Sequence, residues 1–352
     1  MTYESLKPLI YKLDPENAHA LAEFSMRTLD CIFPGGLSFF AKDYIVNDEA
    51  LNQEIFNLHF YNPVGLAGGF DKNATMIRPL SALGFGFLEY GTFTPKPQSG
   101  NEKPRLFRLV EQESIQNAMG FNNKGKDAVA KEVKKVYPFS IPLVANIGKN
   151  KITSNEEAIN DYIILLKDFK DLCDLFVINI SSPNTKNLRD LQSEEFVSTL
   201  FNQAKEITSK PVILKIAPDM NIDSAISLCK SAINAKADGI IMANTSIDYS
   251  LIDNTRTFGG ISGKLITQKS ATFFKEVAKE IYQDTILIAS GGIDSAETAY
   301  ERIKNGASLV QIYTAMIFKG PSIVKNINQG LIELLKQDGF NHISQAIGVN
   351  FK

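Results

Sequence analysis

Residues 177–185 read Val-Ile-Asn-Ile-Ser-Ser-Pro-Asn-Thr and place amide and hydroxyl side chains directly after an apolar run. The apolar run over 174–180 predicts a buried strand, which Pro183 ends because proline cannot donate to a strand ladder. Asn179 and Asn184 can both donate and accept hydrogen bonds, as a planar ligand with alternating C=O and N–H edges requires. A hydroxyl among them, from Ser181 or Ser182, could move a proton. Ser-Pro-Asn is also ordinary turn chemistry, so the rest of the chain must decide between the two interpretations.

Two lysines stand at other predicted strand ends, among amides and hydroxyls. Lys72 follows the strand over 63–67, and Lys215 lies at the end of the strand over 211–216. The strand ends carry no histidine and no carboxylate pair, which excludes a metal site and argues against a glycosidase pair or a histidine-based triad. Lys215 is a candidate to neutralise negative charge on a reduced flavin ring, and Lys72 could pair with a substrate carboxylate. The alternative for each lysine is a solvated loop charge.

Glycine-rich turns near the end of the chain indicate a phosphate site. Residues 259–263 (Gly-Gly-Ile-Ser-Gly) precede a predicted helix, and residues 291–295 (Gly-Gly-Ile-Asp-Ser) lead from a predicted strand into another helix. Backbone N–H groups at a helix N-terminus bind anions, and barrels commonly place such a site after their last two strands. Two such turns at this place favour a phosphorylated ligand.

These residues are positioned by an alternation of strand, polar or glycine-rich loop, and helix that starts near residue 45. Eight alternating units predict a closed parallel (β/α)8 TIM barrel, with reactive residues where the strands end. The predicted strands cover 63–67, 86–91, 142–146, 174–180, 211–216, 238–243, 285–290 and 308–313. The predicted helices include 194–208, 222–235, 267–282, 295–305 and 321–336. Residues 93–126 form the longest predicted loop, and loops of this length are usually functional lids or ligand walls.

Residues 1–40 differ in character and predict two short helices with a large apolar surface. Asp14-Pro15 is typical of an N-cap followed by proline at the first helical position, and residues 34–36 (Pro-Gly-Gly) are predicted to end that helix. The apolar surface either docks on the main domain or meets lipid or a lipid-like ligand. The segment carries 3 basic and 5 acidic residues, so polybasic attraction to anionic lipid is not the mechanism.

The composition excludes several classes of protein. The chain has 352 residues, about a hundred more than one barrel needs, and its net charge of −2 argues against a nucleic-acid binder. The three widely spaced cysteines suggest reduced thiols in a cytosolic setting, and no metal site is predicted. We find no membrane-spanning stretch and no signal pattern, and expect the chain to stay inside the cell.

At the level of motifs, the sequence closely resembles the class 2, quinone-dependent dihydroorotate dehydrogenases over nearly its whole length. The motifs that carry the resemblance lie at 13–19 (Leu-Asp-Pro-Glu-Asn-Ala-His), 69–72 (Gly-Phe-Asp-Lys), 103–108 (Lys-Pro-Arg-Leu-Phe-Arg), 117–123 (Asn-Ala-Met-Gly-Phe-Asn-Asn), 146–150 (Asn-Ile-Gly-Lys-Asn), 179–185, 215–219 (Lys-Ile-Ala-Pro-Asp), 260–263 and 291–295. The serine at 182 favours class 2, since the related class 1 enzymes use cysteine there. Such a combination of motifs is highly specific.

The resemblance implies a set of site residues. It implies FMN bound through Gly68, Gly69, Phe70, Asp71, Lys72, Thr92, Asn146, Asn179, Lys215, Ala243, Gly263, Gly292, Tyr313 and Thr314. It implies dihydroorotate held by Lys72, Asn117, Ala118, Met119, Gly120, Phe121, Asn179, Asn184, Asn244 and Thr245. Ser182 would be the catalytic base, with Thr185 and Phe121 lining a water path beside it, and His19 and Arg108 would lie near the quinone tunnel. Members of the family often have alanine at the position of Gly68 and threonine at that of Ala243.

The resemblance also implies an activity and a cellular place. The chain would oxidise (S)-dihydroorotate to orotate, with FMN as hydride acceptor and ubiquinone or menaquinone as final acceptor, in de novo pyrimidine (UMP) biosynthesis. Residues 1–42 would form a helical quinone-access segment and residues 43–352 the FMN-binding barrel. The segment would attach peripherally to the cytoplasmic face of the inner membrane, with no nucleic-acid partner and no obligate protein partner.

Three alternatives remain open at this point. The first is a class 1-like enzyme that uses fumarate or a partner flavoprotein as acceptor. The second is another FMN barrel, such as a dihydropyrimidine or dihydrouridine reductase, against which Ser182 and the pair Asn117 and Asn184 argue. The third is a phosphate-binding barrel without catalytic activity.

Overall fold

Short apolar runs of the sequence form the central strands of the protein. These strands are buried on both faces of their sheet. A computed structural model describes residues 3–33, 35–253 and 256–352. In these residues the strands are β1 (Gln53–Ile55), β2 (Leu58–Phe60), β3 (Val64–Asp71), β4 (Phe87–Phe93), β5 (Leu106–Leu109), β6 (Ser114–Asn117), β7 (Leu143–Ile147), β8 (Leu175–Asn179), β9 (Val212–Ile216), β10 (Gly239–Met242), β11 (Gly260–Gly263), β12 (Ile286–Ser290) and β13 (Leu309–Ile312).

The helices of the same residues surround and precede these strands. They are α1 (Tyr3–Ile10), α2 (Pro15–Ile32), α3 (Gly36–Tyr44), α4 (Ile77–Ser81), α5 (Lys126–Val133), α6 (Ala158–Phe169), α7 (Glu194–Ile207), α8 (Ile222–Asn234), α9 (Thr267–Ile281), α10 (Ala296–Lys304), α11 (Thr314–Lys319), α12 (Ile323–Gln337) and α13 (Ile343–Ala346). The five helices predicted from periodicity correspond to α7, α8, α9, α10 and α12.

Eight parallel strands close into a barrel in the order β10-β12-β13-β3-β4-β7-β8-β9. Each of the eight predicted strands is one of them, so the predicted (β/α)8 fold class is confirmed. The strands are recognisable from sequence because a parallel sheet covered by helices buries both faces and needs near-continuous apolar runs. In β7, β8 and β9 every residue is buried.

The barrel interior changes from apolar to polar along the strands. At its lower end one apolar cluster joins residues of several strands and of the β1–β2 hairpin, among them Phe60, Phe87, Val144, Val177, Ile213 and Leu309. Because side chains two positions apart on a strand point to the same face, the next inward layer is two residues further along each strand. That layer contains Glu89, Asn146, Asn179, Lys215 and Gln311.

The N-terminal helices begin and end largely where their signals predict. Asp14 caps α2, since its carboxylate accepts hydrogen bonds from the backbone N–H groups of Glu16 at 2.9 Å and Asn17 at 3.2 Å. The helix ends at Ile32, just before the predicted stop, of which Pro34 lies outside the described residues. Gly36 begins a further helix, α3, that was not predicted. Since α3 runs across the boundary placed at residue 42, the division into two domains stays a prediction.

The long loop predicted over 93–126 contains secondary structure of its own. Strands β5 and β6 form a hairpin, and β11 pairs with β6 in an antiparallel register that sets Gly260 opposite Asn117. The pattern of period two was missed because these strands have only four residues each, and no residue of β5 is fully buried. The small sheet joins the loop after β4 to the loop after β10, beside the carboxyl ends of the barrel strands.

Candidate active site

One cavity of about 540 Å³ lies between the carboxyl ends of the barrel strands and the N-terminal helices. Most of the predicted site residues line it, although they come from all parts of the sequence. Those that line it are His19, Gly68, Gly69, Phe70, Lys72, Thr92, Arg108, Asn117, Met119, Gly120, Phe121, Asn179, Ser182, Asn184, Lys215, Ala243, Asn244, Thr245, Gly263, Gly292, Tyr313 and Thr314. The volume lies within the range of ordinary ligand and cofactor sites.

Four predicted site residues do not line the cavity. The Asp71 carboxylate turns away to accept hydrogen bonds from the backbone N–H groups of Thr75 at 2.9 Å and Met76 at 2.8 Å. Asn146 lies behind the cavity wall and contacts Thr92 and Asn179. Ala118 and Thr185 are buried beside it. These residues can act on a ligand through their neighbours or their backbone.

The polar layer below the cavity contains a carboxylate that sequence analysis missed. Glu89 is fully buried and lies 3.2 Å from the Lys215 ammonium through its Oε1 atom. Its carboxylate also accepts hydrogen bonds from Asn146 Nδ2 and Gln311 Nε2. An acidic residue inside a buried apolar strand was the available signal, since strand periodicity points it into the barrel with Phe87.

The amide side chains predicted to bind a ligand contact one another. Asn184 Nδ2 donates to Asn117 Oδ1 at 2.9 Å, and Asn179 Nδ2 donates to Thr92 Oγ1 at 2.9 Å. Thr245 Oγ1 and Asn184 Oδ1 are buried and have no hydrogen-bond partner among the described residues. A buried polar atom without a hydrogen bond is unfavourable, so a partner for these atoms is expected. A bound polar ligand could supply it.

Ser182 lies in the loop after β8, where only 6% of its surface is exposed. The Asn184 backbone N–H donates to its Oγ at 3.3 Å. Sequence analysis missed Arg189, which holds this loop in place. The Arg189 guanidinium donates to the Ser181 carbonyl at 2.9 Å and the Thr245 carbonyl at 2.8 Å, and pairs with Asp219 at 2.9 Å. Three loops at the barrel mouth are thereby joined by one side chain.

Lys72 and His19 both line the cavity where α2 meets the barrel. Burial lowers the pKa of Lys72 to about 8, although the Glu16 carboxylate opposes this change. Burial also lowers the pKa of His19 to about 4, with the Lys72 ammonium acting in the same direction. The His19 ring lies 4.9 Å from the Phe70 ring in an edge-to-face contact. His19 is therefore neutral near pH 7, and Lys72 is mostly charged.

Arg108 connects the barrel hairpin to the N-terminal helices. Its guanidinium donates to the Leu13 carbonyl at 2.8 Å and lies 5.1 Å from the centre of the Tyr11 ring. Beyond it the cavity is walled by largely apolar side chains of the first two helices and of the turn between them, including Ile10, Leu13, Ala18, Ala22 and Met26. The described helices include none that is both long and apolar enough to cross a membrane.

The glycine turns also line the cavity. A Cβ atom on Gly292, whose φ is +69°, would come within 2.4 Å of Thr267 Cα. One on Gly263, at φ +96°, would lie 2.6 Å from the Glu113 carbonyl oxygen. Both turns need glycine, because a side chain would meet backbone atoms. Gly263, Gly292 and Thr314, the first residue of α11, all line the cavity. Backbone N–H groups in such turns can bind an anionic group.

The fold and this cavity define a class of protein: a (β/α)8-barrel enzyme with two lysines, amides, a serine and two glycine turns at the carboxyl ends of its strands. A profile of the family described as "Dihydroorotate dehydrogenase" matches residues 50–335. The chain is 56% identical over 352 residues to "Dihydroorotate dehydrogenase (quinone)" of a Nitratiruptor species, with 100% of both chains covered.

Further comparisons agree. The protein of the same name from a Sulfurovum species is 56% identical over 351 residues, covering 100% of this chain and 99% of the relative. A crystal structure of "DHODH in complex with ferulenol from Eimeria tenella" superposes with a TM-score of 0.83 at 33% identity, covering 98% of this chain and 99% of that one. The chain belongs to the dihydroorotate dehydrogenase family, a family of oxidoreductases. The predicted family and enzyme class are confirmed.

Proposed function

We propose that the protein oxidises (S)-dihydroorotate to orotate and passes the electrons through FMN to a membrane quinone, in de novo pyrimidine (UMP) biosynthesis. The family, together with relatives named for the quinone-dependent activity, supports this proposal. The observation that carries it is one cavity lined by Ser182, Lys72 and Lys215 and by the two glycine turns. A proton acceptor, two cations and an anion-binding cradle are what this reaction needs in one place.

The residues of the cavity fit FMN. The turns at Gly263 and Gly292, with Thr314, would hold the phosphate through backbone N–H groups. The Lys215 ammonium and the amide and hydroxyl of Asn179 and Thr92 would meet the polar edge of the ring system, with Gly68–Phe70, Ala243 and Tyr313 as walls. When bound, FMN supplies the two-electron acceptor for the hydride that leaves the substrate.

The substrate would be held by charge and by amide groups. The Lys72 ammonium would pair with the substrate carboxylate. Amides of Asn117, Asn184 and Asn244 and the hydroxyl of Thr245 would bind the ring edges, which alternate C=O and N–H groups. The backbone of 118–121 would complete the wall. The unpartnered Thr245 Oγ1 and Asn184 Oδ1 atoms support this assignment.

Ser182 would remove a proton from C5 of dihydroorotate. A serine hydroxyl is a weak base at its ordinary pKa, so the proton needs a way out. Thr185 and Phe121 would line that path. Thr185 is buried in the same loop as Ser182, and its Oγ1 atom has no hydrogen-bond partner among the described residues. Burial of the serine by the loop that Arg189 holds would keep bulk water away from the reacting atoms.

Quinone would arrive between the N-terminal helices and the barrel. The cavity reaches the partly buried His19 and Arg108 along apolar side chains of α1 and α2. Leu9, Phe24, Ile32 and Phe33 expose apolar side chains on these helices, with 76% of Ile32 exposed. An apolar face beside an apolar entrance supports peripheral attachment to a membrane, with ubiquinone or menaquinone entering from the lipid. The proposal places this attachment on the cytoplasmic face.

The test uses the purified full-length protein under anaerobic conditions. We expect dihydroorotate to bleach the flavin absorbance and a quinone to restore it. Ser182→Ala should slow the bleaching about 10²–10⁴-fold, the usual contribution of a positioned base, while FMN stays bound. Ser198→Ala, on α7 outside the cavity, is the matched control. Bleaching of the Ser182→Ala protein at the wild-type rate would reject the base, and recovery with fumarate but not with quinone would reject the quinone.

A further inference from the structure

Glu89 is a buried carboxylate that the proposed reaction does not use. It lies on β4 inside the barrel, with none of its surface exposed. Three donors from three other strands surround it: Lys215 of β9, Asn146 of β7 and Gln311 of β13. An apolar side chain at this depth would avoid a free-energy cost, because removing a charge from water is unfavourable unless the charge is paired. Its position directly beneath the cavity therefore needs an explanation.

The carboxylate determines which way its neighbours point. An ionised carboxylate only accepts hydrogen bonds, so each partner must turn a donor toward it. Gln311 shows the effect, since its Nε2 donates to Glu89 although its buried Oε1 then has no hydrogen-bond partner among the described residues. A flipped amide would set oxygen against oxygen. Asn146 is under the same constraint and directs its Nδ2 group to Glu89.

This constraint continues from Asn146 to the residues of the cavity. With its amino group committed, Asn146 turns Oδ1 toward Thr92 Oγ1, at 2.5 Å, and Asn179 Nδ2, at 3.3 Å. Asn179 then turns its own Oδ1 toward Asn244 Nδ2, also at 3.3 Å. Asn244 Nδ2 in turn donates to Ser181 Oγ at 3.0 Å, next to Ser182. One buried charge thus selects a single orientation for three amides in series.

We propose that Glu89 is a positioning residue, which holds the Lys215 ammonium in place and sets the hydrogen-bond direction of Asn146, Asn179 and Asn244 for the bound ring systems. The proposal rests on the proposed function, which it deepens. Glu89 does not line the cavity and would act through these neighbours. Its charge is also one of the fixed charges nearest to Lys215, so it influences how easily negative charge can develop beside that lysine.

The test compares the FMN-loaded wild-type protein with Glu89→Gln and Glu89→Asp. We expect Glu89→Gln to make the flavin midpoint potential more positive, because a buried negative charge is lost beside Lys215. We also expect at least a fivefold higher Kd for orotate, because glutamine can accept either orientation of Asn146. Glu89→Asp keeps the charge and should return the potential toward the wild-type value, while its shorter reach still raises the orotate Kd at least twofold.

Controls separate this role from a structural one. Glu54→Gln removes an exposed carboxylate on β1 and should change neither value. A merely structural Glu89 would lower the melting temperature and leave the potential and the orotate Kd unchanged, which would overturn the proposal. If Glu89→Gln does not fold, an unchanged orotate Kd in Glu89→Asp overturns it. The potential is titrated with a chemical reductant, so it is measured even if dihydroorotate fails to reduce the wild-type flavin, the outcome that would reject the proposed function.

Discussion

At the scale of single residues, Lys72 links ligand binding to pH. Burial lowers its pKa to about 8, so the side chain loses its charge at a pH where most lysines keep theirs. Since the proposed carboxylate contact needs the ammonium form, the Kd for orotate should be constant below about pH 8. Above it the Kd should rise about tenfold per pH unit, because one proton must be taken up before binding.

This dependence can be measured by titrating the flavin spectrum with orotate between pH 6.5 and pH 9.5. Lys72→Arg is the matched variant, because arginine stays charged over the whole range. Its affinity is expected to be lower but independent of pH. A wild-type Kd that stays constant to pH 9.5 would show that another group holds the substrate carboxylate.

At the scale of elements, α2 is held against the barrel domain by polar contacts near Lys72. Glu16 pairs with the buried Arg105 at 2.7 Å, and Glu23 accepts a hydrogen bond from Thr75 Oγ1 at 2.8 Å. Thr75 also donates from its backbone N–H to Asp71, the residue before Lys72. Polar contacts on the inner side therefore fix the helix without using its outer apolar side chains, which stay available for another surface.

The outer face of α2 provides the prediction at this scale. Phe24 and Ile32 are 68% and 76% exposed and do not line the cavity. The double variant Phe24→Glu with Ile32→Glu should lose at least tenfold in binding to lipid vesicles and in turnover with quinone embedded in lipid. Reduction of the flavin by dihydroorotate should be unchanged, as that step needs no lipid.

Vesicle sedimentation and the two half-reactions measure these effects separately. Ile164→Glu, on α6 of the barrel with 40% of the side chain exposed, carries a similar change away from α2 and should behave as wild type. Equal vesicle binding by the double variant and the wild type would show that α2 does not contact lipid through this face.

At the scale of the whole molecule, FMN should hold together strand ends that the chain joins only through long connections. A ligand that binds only the folded state at 100 times its Kd stabilises it by about 2.7 kcal/mol. Riboflavin, which lacks the phosphate, should raise the melting temperature much less. Gly292→Ala should reduce the FMN effect, since its Cβ would come within 2.4 Å of Thr267 Cα in the phosphate turn.

Thermal unfolding of the cofactor-free protein with each ligand measures this linkage. Gly339→Ala is the control, because Gly339 also has a positive φ, of +78°, but has no atom within 4 Å of the added Cβ. The Gly339→Ala variant therefore introduces the same kind of backbone strain but no steric clash of the added Cβ. Equal stabilisation by FMN and riboflavin would mean that the glycine turns do not bind the phosphate.

Features with a local cause were determined by the sequence alone. Each barrel strand is a short apolar run because both faces of a parallel sheet are buried, and all eight runs became strands of the barrel. Asp14 caps α2 because its carboxylate reaches N–H groups two and three residues ahead. Lys215 and Asn179 lie at the ends of such runs and Ser182 follows one, and the carboxyl ends of the strands of a parallel barrel meet at one face. Their shared cavity therefore follows from the strand pattern.

Other features were decided only by the tertiary structure. Glu89 meets Lys215 across 126 positions of sequence, and Arg189 meets Thr245 across 56. The pairing of β11 with β6 and the packing of Lys72 against α2 also bring together parts of the chain that are far apart in sequence. Neither residue type nor spacing encodes such contacts, because they depend on how strands register around a closed barrel and how loops fold over its mouth. Only when that packing is complete do a buried charge and its donors come within hydrogen-bond distance.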